Sequence, residues 1–181
     1  MLAVLRGTAE IKSLVRFTEK DGVIYFTVTS NGMTGKEWII HFNSKGAKIN
    51  DYAKQLLLSE DFKPRKKGSV HQIEVIKGEF FSNENRTTSN IRQEADKRKL
   101  SKPNAEVACL IRDLFTGKEI RKMGLCWIVT IHEPIKDSHG YLSLLSVCSD
   151  GDVPCLRAFY GVPGCRWDRE DGFAFVSSQV E

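Results

Sequence analysis

The chain has 181 residues, of which 41% are hydrophobic and 28% are charged. These proportions exclude a disordered or fibrous protein and indicate a globular chain long enough to bury a core. No apolar run approaches the roughly 20 residues that a membrane span requires, so we expect no membrane partner.

Positive charge is concentrated in the first part of the chain. Through Leu100 there are 18 Lys and Arg residues against 12 Asp and Glu, whereas the remainder has 9 against 11. An asymmetry of this kind is typical of a protein with one basic face, which would suit an acidic partner.

The five cysteines are an odd number and include no Cys-x-x-Cys pair. We therefore expect reduced, buried thiols and a cytoplasmic protein. The first residues include no basic leader, so we expect no secretory signal.

The first half of the chain predicts a hairpin, helices and one strand. The Asp21-Gly22 pair supplies the positive φ angles of a tight turn between strands at 13–18 and 23–29. Thr34 and Glu37 form a capping box that opens a short helix. Periodicity and composition predict further elements at 51–59 (helix), 70–77 (strand) and 90–100 (exposed helix), with loops at 61–68 and 78–89.

The second half predicts one strong helix followed by strands. Val107, Leu110, Ile111 and Leu114 recur at helical spacing, which predicts a helix at 105–115 that lies on a sheet. Four apolar runs separated by Gly, Pro and Asp then predict strands at 125–132, 142–148, 156–160 and 173–176. We predict a single α+β domain over 1–181, with a possible subdomain joint near 78–89. Its C-terminal part is predicted to be an antiparallel four-stranded meander packed against the 105–115 helix.

Two histidines and two carboxylates follow the first of these strands. His132, Glu133, Asp137 and His139 have the chemistry of zinc ligands or of a general acid and base. Their spacing matches no metal motif, and adjacent His132 and Glu133 point to opposite faces of a strand. The chemistry of these four residues nevertheless supports an alternative prediction, a small metal-dependent hydrolase. A hydrolase with a cysteine nucleophile (Cys126, Cys148 or Cys155) beside His132 is a variant of the same prediction.

A turn-rich loop near the C-terminus carries exposed aromatic and basic residues. Tyr160 and Trp167, beside Arg166, can stack on a base, a sugar or a peptide. A tryptophan folded back onto the strands is the structural alternative. The sequence leaves both possibilities open.

Two basic clusters predict contacts with phosphates. The first consists of Lys63, Arg65, Lys66 and Lys67, and the second covers 97–102. Neither cluster interleaves with aromatic residues. The competing interpretation is that both clusters are ordinary solvent-exposed charges that bind no phosphate.

Several short motifs in the second half look like a family signature. They are Met123-Gly124-Leu125, Trp127-Ile128-Val129, the 132–137 run, Trp167-Asp168-Arg169 and 172–176. Over about the last two thirds of the chain they resemble a family of small uncharacterised bacterial proteins. The resemblance implies a bacterial, cytoplasmic setting and no particular fold, activity or ligand.

Taken together, the residues favour a small soluble binding or interaction module without catalysis, cofactor or bound metal. A protein is one possible partner. A hydrolase built on the 132–139 cluster is the first alternative, and a nucleic-acid-associated protein that uses the basic N-terminal half is the second.

Overall fold

The computed structural model of the chain describes residues 16–149 and 153–177. Within these ranges the chain forms ten strands, five α-helices and one short 3-10 helix at Gly78–Phe80. The strands are β1 (Thr18–Lys20), β2 (Val23–Thr29), β3 (Lys48–Ile49), β4 (Val70–Lys77), β5 (Leu100–Ser101), β6 (Trp127–Thr130), β7 (Ile135–Lys136), β8 (Leu142–Cys148), β9 (Cys155–Tyr160) and β10 (Asp171–Ser177). The helices are α1 (Gly35–Ser44), α2 (Asp51–Leu58), α3 (Thr88–Lys97), α4 (Glu106–Leu114) and α5 (Gly117–Lys122).

All ten of these strands join one mixed sheet. Its order is β1-β2-β4-β10-β6-β8-β9-β3, with β5 added beside β10 and β7 beside β8. The predicted α+β class is therefore confirmed. β10 returns to the centre of the sheet between β4 and β6, and so joins the strands of the first half of the chain to those of the second. The first-half strand β3 lies at the far edge, beside β9.

The predicted four-stranded meander is wrong in its last strand. β6, β8 and β9 are antiparallel neighbours, but β10 lies on the far side of β6 and runs parallel to it. Phe173 and Phe175 pack on one face of the sheet and Ala174 on the other, all of them at most 1% exposed. A strand that buries both faces belongs in the centre of a sheet, whereas the last strand of a meander lies at an edge.

Helices cover the two sheet faces unequally. The larger core packs α1, α2, α4 and α5 on one face, and the smaller core packs α3 on the other. The expected packing of the 105–115 helix on the sheet is confirmed, since Val107 and Ile111 of α4 are buried in the larger core with Leu145 and Val147 of β8. α3 covers only part of the second face, and Phe81 and Trp167 pack there as well.

Local turn and cap predictions are confirmed. Asp21 and Gly22 have φ angles of 52° and 74°, and they close the β1–β2 hairpin. The predicted capping box forms at Thr34–Glu37, and a second one forms at Thr116–Glu119. The strand predicted at 13–18 is displaced: residues 16 and 17 are not in a strand, and β1 covers Thr18–Lys20. Residues 13–15 lie outside the described ranges.

The prediction that the thiols are reduced is wrong for one pair. Cys148 and Cys155 face each other across β8 and β9, with their Cα atoms 5.5 Å apart, and they form a disulfide. Cα separations of this size are usual for disulfides. Cys109, Cys126 and Cys165 are free. Sequence spacing alone does not reveal a register that places two cysteines opposite each other.

In the described part of the chain, no helix has both the length and the hydrophobicity that a bilayer crossing would need.

Candidate functional site

His132 is a buried structural residue. Its side chain is 1% exposed, and its Nε2 accepts a hydrogen bond from the Leu145 backbone N–H at 2.9 Å. Nδ1 therefore carries the proton and donates to the Glu133 carbonyl oxygen at 2.7 Å. Burial lowers the pKa of His132 to about 4. The neutral imidazole joins the end of β6 to β8.

The other members of the 132–139 cluster lie elsewhere. Glu133 is exposed and pairs with Lys102 at 2.6 Å. Asp137 accepts hydrogen bonds from backbone N–H groups of the turn that contains His139. Among the described residues, no group of three His, Cys, Asp or Glu side chains is arranged to hold a metal ion. The four residues named from the sequence are thus not brought to one point.

The cysteine that is exposed does not have the surroundings of a nucleophile. Cys126 lies with its Sγ 3.7 Å from Glu170 Oε2. Partial burial, together with the negative charge of Glu170, raises the pKa of this thiol. A neighbouring carboxylate disfavours the thiolate that nucleophilic chemistry requires.

The first basic cluster is a loop held by a buried carboxylate. Glu106 is 1% exposed, and its carboxylate accepts from the Arg65 backbone N–H at 2.9 Å and from Ser30 Oγ at 2.9 Å. All four side chains that the sequence predicts for this cluster are exposed: Lys63, Arg65, Lys66 and Lys67. The loop is well anchored and presents its charges to solvent.

The second basic cluster is partly neutralised. Arg98 binds Glu94 at 2.8 Å, and Lys97 lies 3.9 Å from the same carboxylate. Lys102 is paired with Glu133. Two carboxylates thus offset about half of the positive charge that this cluster offers to a phosphate backbone.

Tyr160, Arg166 and Trp167 meet in a cleft on the second face of the sheet. The cleft has a volume of about 350 Å³. We call it the aromatic cleft, and the residues that line it include Trp127, Arg157, Phe159, Tyr160, Arg166 and Trp167. The structure thus places the three binding residues predicted in the 160–167 loop at the border of one cleft, apart from the basic loop. The Tyr160 ring, however, packs against Tyr141, on the opposite face of β9 from Phe159.

Three rings form the walls of the aromatic cleft. The Phe159 ring packs edge-on against Trp127, with centroids 5.0 Å apart, and against Trp167, with centroids 6.2 Å apart. The Arg157 guanidinium lies over the Trp127 ring, 5.4 Å from its centroid. Arg157 and Arg166 are exposed at the rim.

Trp167 is positioned by the loop that follows β9. Its Nε1 donates to Thr88 Oγ1 at 2.9 Å, and its backbone N–H donates to the Arg86 carbonyl at 3.0 Å. Arg86 is itself 6% exposed and donates to the carbonyls of Gly78 and Phe81. These contacts bind the loop to the start of α3, so that Trp167 forms a rigid wall.

Asp171 borders the cleft beside Trp127. The two residues are register partners in β10 and β6, and Asp171 shares its face of the sheet with Phe173. Asp171 is 4% exposed, and its Oδ2 accepts from the Asp168 N–H at 2.8 Å. Its Oδ1 is buried without a hydrogen-bond partner among the described residues. Burial raises the pKa of this carboxyl to about 6.

The Asp171→Asn variant should gain stability relative to the parent as the pH rises. A carboxyl whose pKa is raised in the folded state favours folding when protonated, so ionised Asp171 opposes folding from about pH 4 upward and fully above pH 6. The shift from 3.8 to about 6 corresponds to at most about 3 kcal/mol. Urea denaturation at pH 4 and pH 7.5 should show the difference between variant and parent growing by up to that amount. An equal difference at both pH values would contradict this. Asp61→Asn, which removes an exposed carboxylate that takes no part in the Asp171 shift, is the control.

Sequence reasoning missed four residues of this site. Trp127 reads as part of a buried strand, Phe159 and Arg157 as ordinary members of β9, and Asp171 as a turn residue. One signal was present: Arg157 interrupts an apolar strand next to Phe159, which places a charge on a face shared with aromatic rings.

The arrangement can bind a planar group between aromatic walls, beneath two guanidinium groups and beside a carboxyl with a free acceptor.

No family model, curated protein or solved structure matches this chain.

Proposed function

We propose that the protein is a binding module whose aromatic cleft takes a planar ring that carries a phosphate, as in a nucleotide. The observation that carries the proposal is the convergence of Trp127, Phe159 and Trp167 with two arginines around one cavity of about 350 Å³. A cavity of this size is at the lower end of the range for small-molecule sites.

The aromatic walls supply the affinity for a ring. Stacking of a base on an aromatic side chain contributes about 1–3 kcal/mol. Arg157 now occupies the face of Trp127, where it makes a cation–π contact. A ligand ring can enter beside Trp127 while the guanidinium moves outward to a phosphate, because an exposed arginine has the freedom to change rotamer.

Charges in the cleft orient the ligand. Arg157 and Arg166 at the rim suit a phosphate, since guanidinium groups bind phosphate oxygens in pairs of hydrogen bonds. Asp171 at the inner end repels a phosphate and offers a free acceptor oxygen to ring N–H groups. The ring therefore points inward toward Asp171 and the phosphate points outward.

The basic loop does not extend this surface. Lys66 and Lys67 lie next to Ser30 and Ser69, at the end of the sheet where β10 finishes. The cleft lies at the end where β10 begins, and β10 has seven residues, which span roughly 20 Å at ~3.3 Å per residue. A single ring with its phosphate fits the cleft alone, whether it is a free nucleotide or an exposed base of a single strand.

Calorimetric titration with nucleoside monophosphates, the matching nucleosides, inorganic phosphate and a single-stranded oligonucleotide tests the proposal. We expect saturable binding of at least one monophosphate, weaker binding of its nucleoside and no binding of phosphate alone. Trp127→Leu should weaken binding about 5- to 100-fold, in line with the loss of one stacking contact. Arg157→Gln should reduce the dependence of binding on salt.

The control variant carries Lys66→Glu and Lys67→Glu, which alter the basic loop but not the cleft. We expect it to bind the monophosphate as the parent does. Absence of binding by every nucleotide and oligonucleotide at millimolar concentration, or binding that is unchanged by Trp127→Leu, would overturn the proposal. Oligonucleotide binding that is lost only in the control variant would assign nucleic-acid binding to the basic loop instead.

A further inference from the structure

We propose a second binding site, for a small methylated ammonium cation, in a pocket between α2, the 137–141 turn and β9. The cavity has a volume of about 120 Å³ and is lined by Tyr52, Asp137, Ser143, Ala158, Phe159 and Tyr160. We call it the ammonium pocket. It shares Phe159 and Tyr160 with the aromatic cleft, but its charged group and its remaining walls are different.

Asp137 gives the pocket a buried carboxylate with one oxygen free. The residue is 7% exposed, and its Oδ1 accepts from the backbone N–H groups of His139 at 2.8 Å and Tyr141 at 3.0 Å. Its Oδ2 is buried and has no hydrogen-bond partner within residues 16–149 and 153–177. A buried carboxylate oxygen without a partner is costly. A cation in the pocket would remove that cost.

Aromatic rings form the other walls. Tyr52 from α2 and Tyr160 from β9 line the cavity. Phe159 also borders it, but the Phe159 ring packs on the other face of the sheet against Trp127 and Trp167. The ring of Tyr141 braces Tyr160 from outside, with centroids 5.4 Å apart in an edge-on arrangement. The negative faces of aromatic rings attract cations, and rings arranged around a cavity are a known means of binding quaternary ammonium groups.

The size of the pocket favours a compact group of about five heavy atoms. A cavity of ~150 Å³ in another protein holds one benzene molecule. The ammonium pocket, at about 120 Å³, is slightly smaller. A tetramethylammonium-like head group is therefore the right size, whereas a whole nucleobase is not.

The chemistry of the walls disfavours a metal ion or an unmethylated ammonium. Calcium and magnesium require about six oxygen ligands, whereas the pocket offers one free carboxylate oxygen and three residues that carry a hydroxyl group, Tyr52, Ser143 and Tyr160. A primary ammonium has three N–H donors that all need acceptors. A methylated ammonium is weakly hydrated and is satisfied by ring faces with a single carboxylate.

Titration of the intact protein with tetramethylammonium chloride, followed by NMR chemical shifts, tests the site. We expect saturable binding, and we expect the neutral isostere tert-butyl alcohol to bind at least about 10-fold more weakly because it gains nothing from Asp137 or from the ring faces. Equal affinity for both molecules would overturn the proposal by showing an apolar void only. Absence of saturable binding of tetramethylammonium would overturn it as well.

Two variants separate the contributions of charge and rings. Asp137→Asn keeps Oδ1 as the acceptor that holds the turn, and we expect affinity for tetramethylammonium to fall at least about 10-fold while the fold persists by circular dichroism. Tyr52→Leu should weaken binding about 5-fold. Tyr25→Leu, on β2 and away from the pocket, is the matched control. Binding that survives Asp137→Asn unchanged would overturn the role of the carboxylate and with it the site.

Methylated ammonium groups occur both as free small molecules and on methylated lysine side chains. A peptide with one trimethyllysine, compared with the same peptide unmethylated, distinguishes these sources. Binding of the methylated peptide alone would support a peptide ligand, and binding of the free cation without the peptide would support a small molecule. Trp127→Leu should leave the binding of tetramethylammonium intact, because Trp127 does not line the ammonium pocket. The ammonium proposal and the nucleotide proposal can therefore fail independently of each other.

Discussion

The His132→Ala variant is expected to lose about 3–5 kcal/mol of the free energy of unfolding at pH 7. The substitution removes a buried ring, which leaves a cavity. It also leaves the buried Leu145 N–H and the Glu133 carbonyl without the partners they have in the parent. Urea denaturation measures the change, and the protein should lose stability without losing any metal.

His132→Gln is the matched control for this expectation. A glutamine oxygen reaches about as far as Nε2 and can accept from Leu145, so we expect roughly half of the lost stability to be recovered. A His132→Ala protein as stable as the parent would contradict the structural role of this residue. It would also reopen the interpretation of His132 as a catalytic or metal-binding group.

The same histidine makes the fold sensitive to acid. Its pKa is lowered from 6.5 to about 4, so its contribution to stability is present above pH 6.5 and is lost as the pH falls toward 4. Over nearly the same pH range, protonation of Asp171 raises the free energy of unfolding as the pH falls. In the parent protein this gain masks the stability that is lost when His132 is protonated. The acid sensitivity of His132 should therefore be clearest in the Asp171→Asn background, where it amounts to about 3 kcal/mol.

Gly35→Ala is expected to destabilise the protein by about 3 kcal/mol or more. Gly35 opens α1, and a Cβ atom there would lie 1.7 Å from the Leu57 carbonyl oxygen and 2.5 Å from its carbonyl carbon. These are backbone atoms of α2, so the clash is relieved only if one helix moves against the other. Thermal unfolding measures the loss.

Gly164→Ala is the control, because a Cβ atom at that position meets no other atom within 4 Å. Its expected effect is within about 0.5 kcal/mol. Because α2 carries Tyr52, Gly35→Ala should also weaken the binding of tetramethylammonium. Equal melting temperatures for the two variants would contradict the close approach of α1 and α2.

The confirmed predictions are those that depend on neighbours in the chain. Thr34 and Glu37 cap α1 through contacts three residues apart, and Asp21-Gly22 closes a hairpin through its own φ angles. The helix at 105–115 was recognisable because its apolar residues recur at helical spacing. Such signals are complete within a short segment, so no knowledge of the rest of the molecule is needed.

The candidate site was only partly predictable for the same reason. Tyr160, Arg166 and Trp167 stand out because they occur in a loop among turn residues. Trp127 gave no such signal, since a tryptophan in an apolar strand is usually buried. It lines a cleft because its part of the sheet face is bordered by strand and loop residues and by no helical residue.

Taken by itself, the sequence determined the α+β class, the β1–β2 hairpin, the capped helices and the apolar face of α4, because these follow from local periodicity and hydrogen bonding. The tertiary structure alone decided that β10 lies between β4 and β6, that Cys148 meets Cys155, and that His132 is enclosed. It also decided which part of the second sheet face α3 leaves uncovered. Those outcomes depend on contacts between segments far apart in the chain, where strand order and register place side chains that have no relation in sequence.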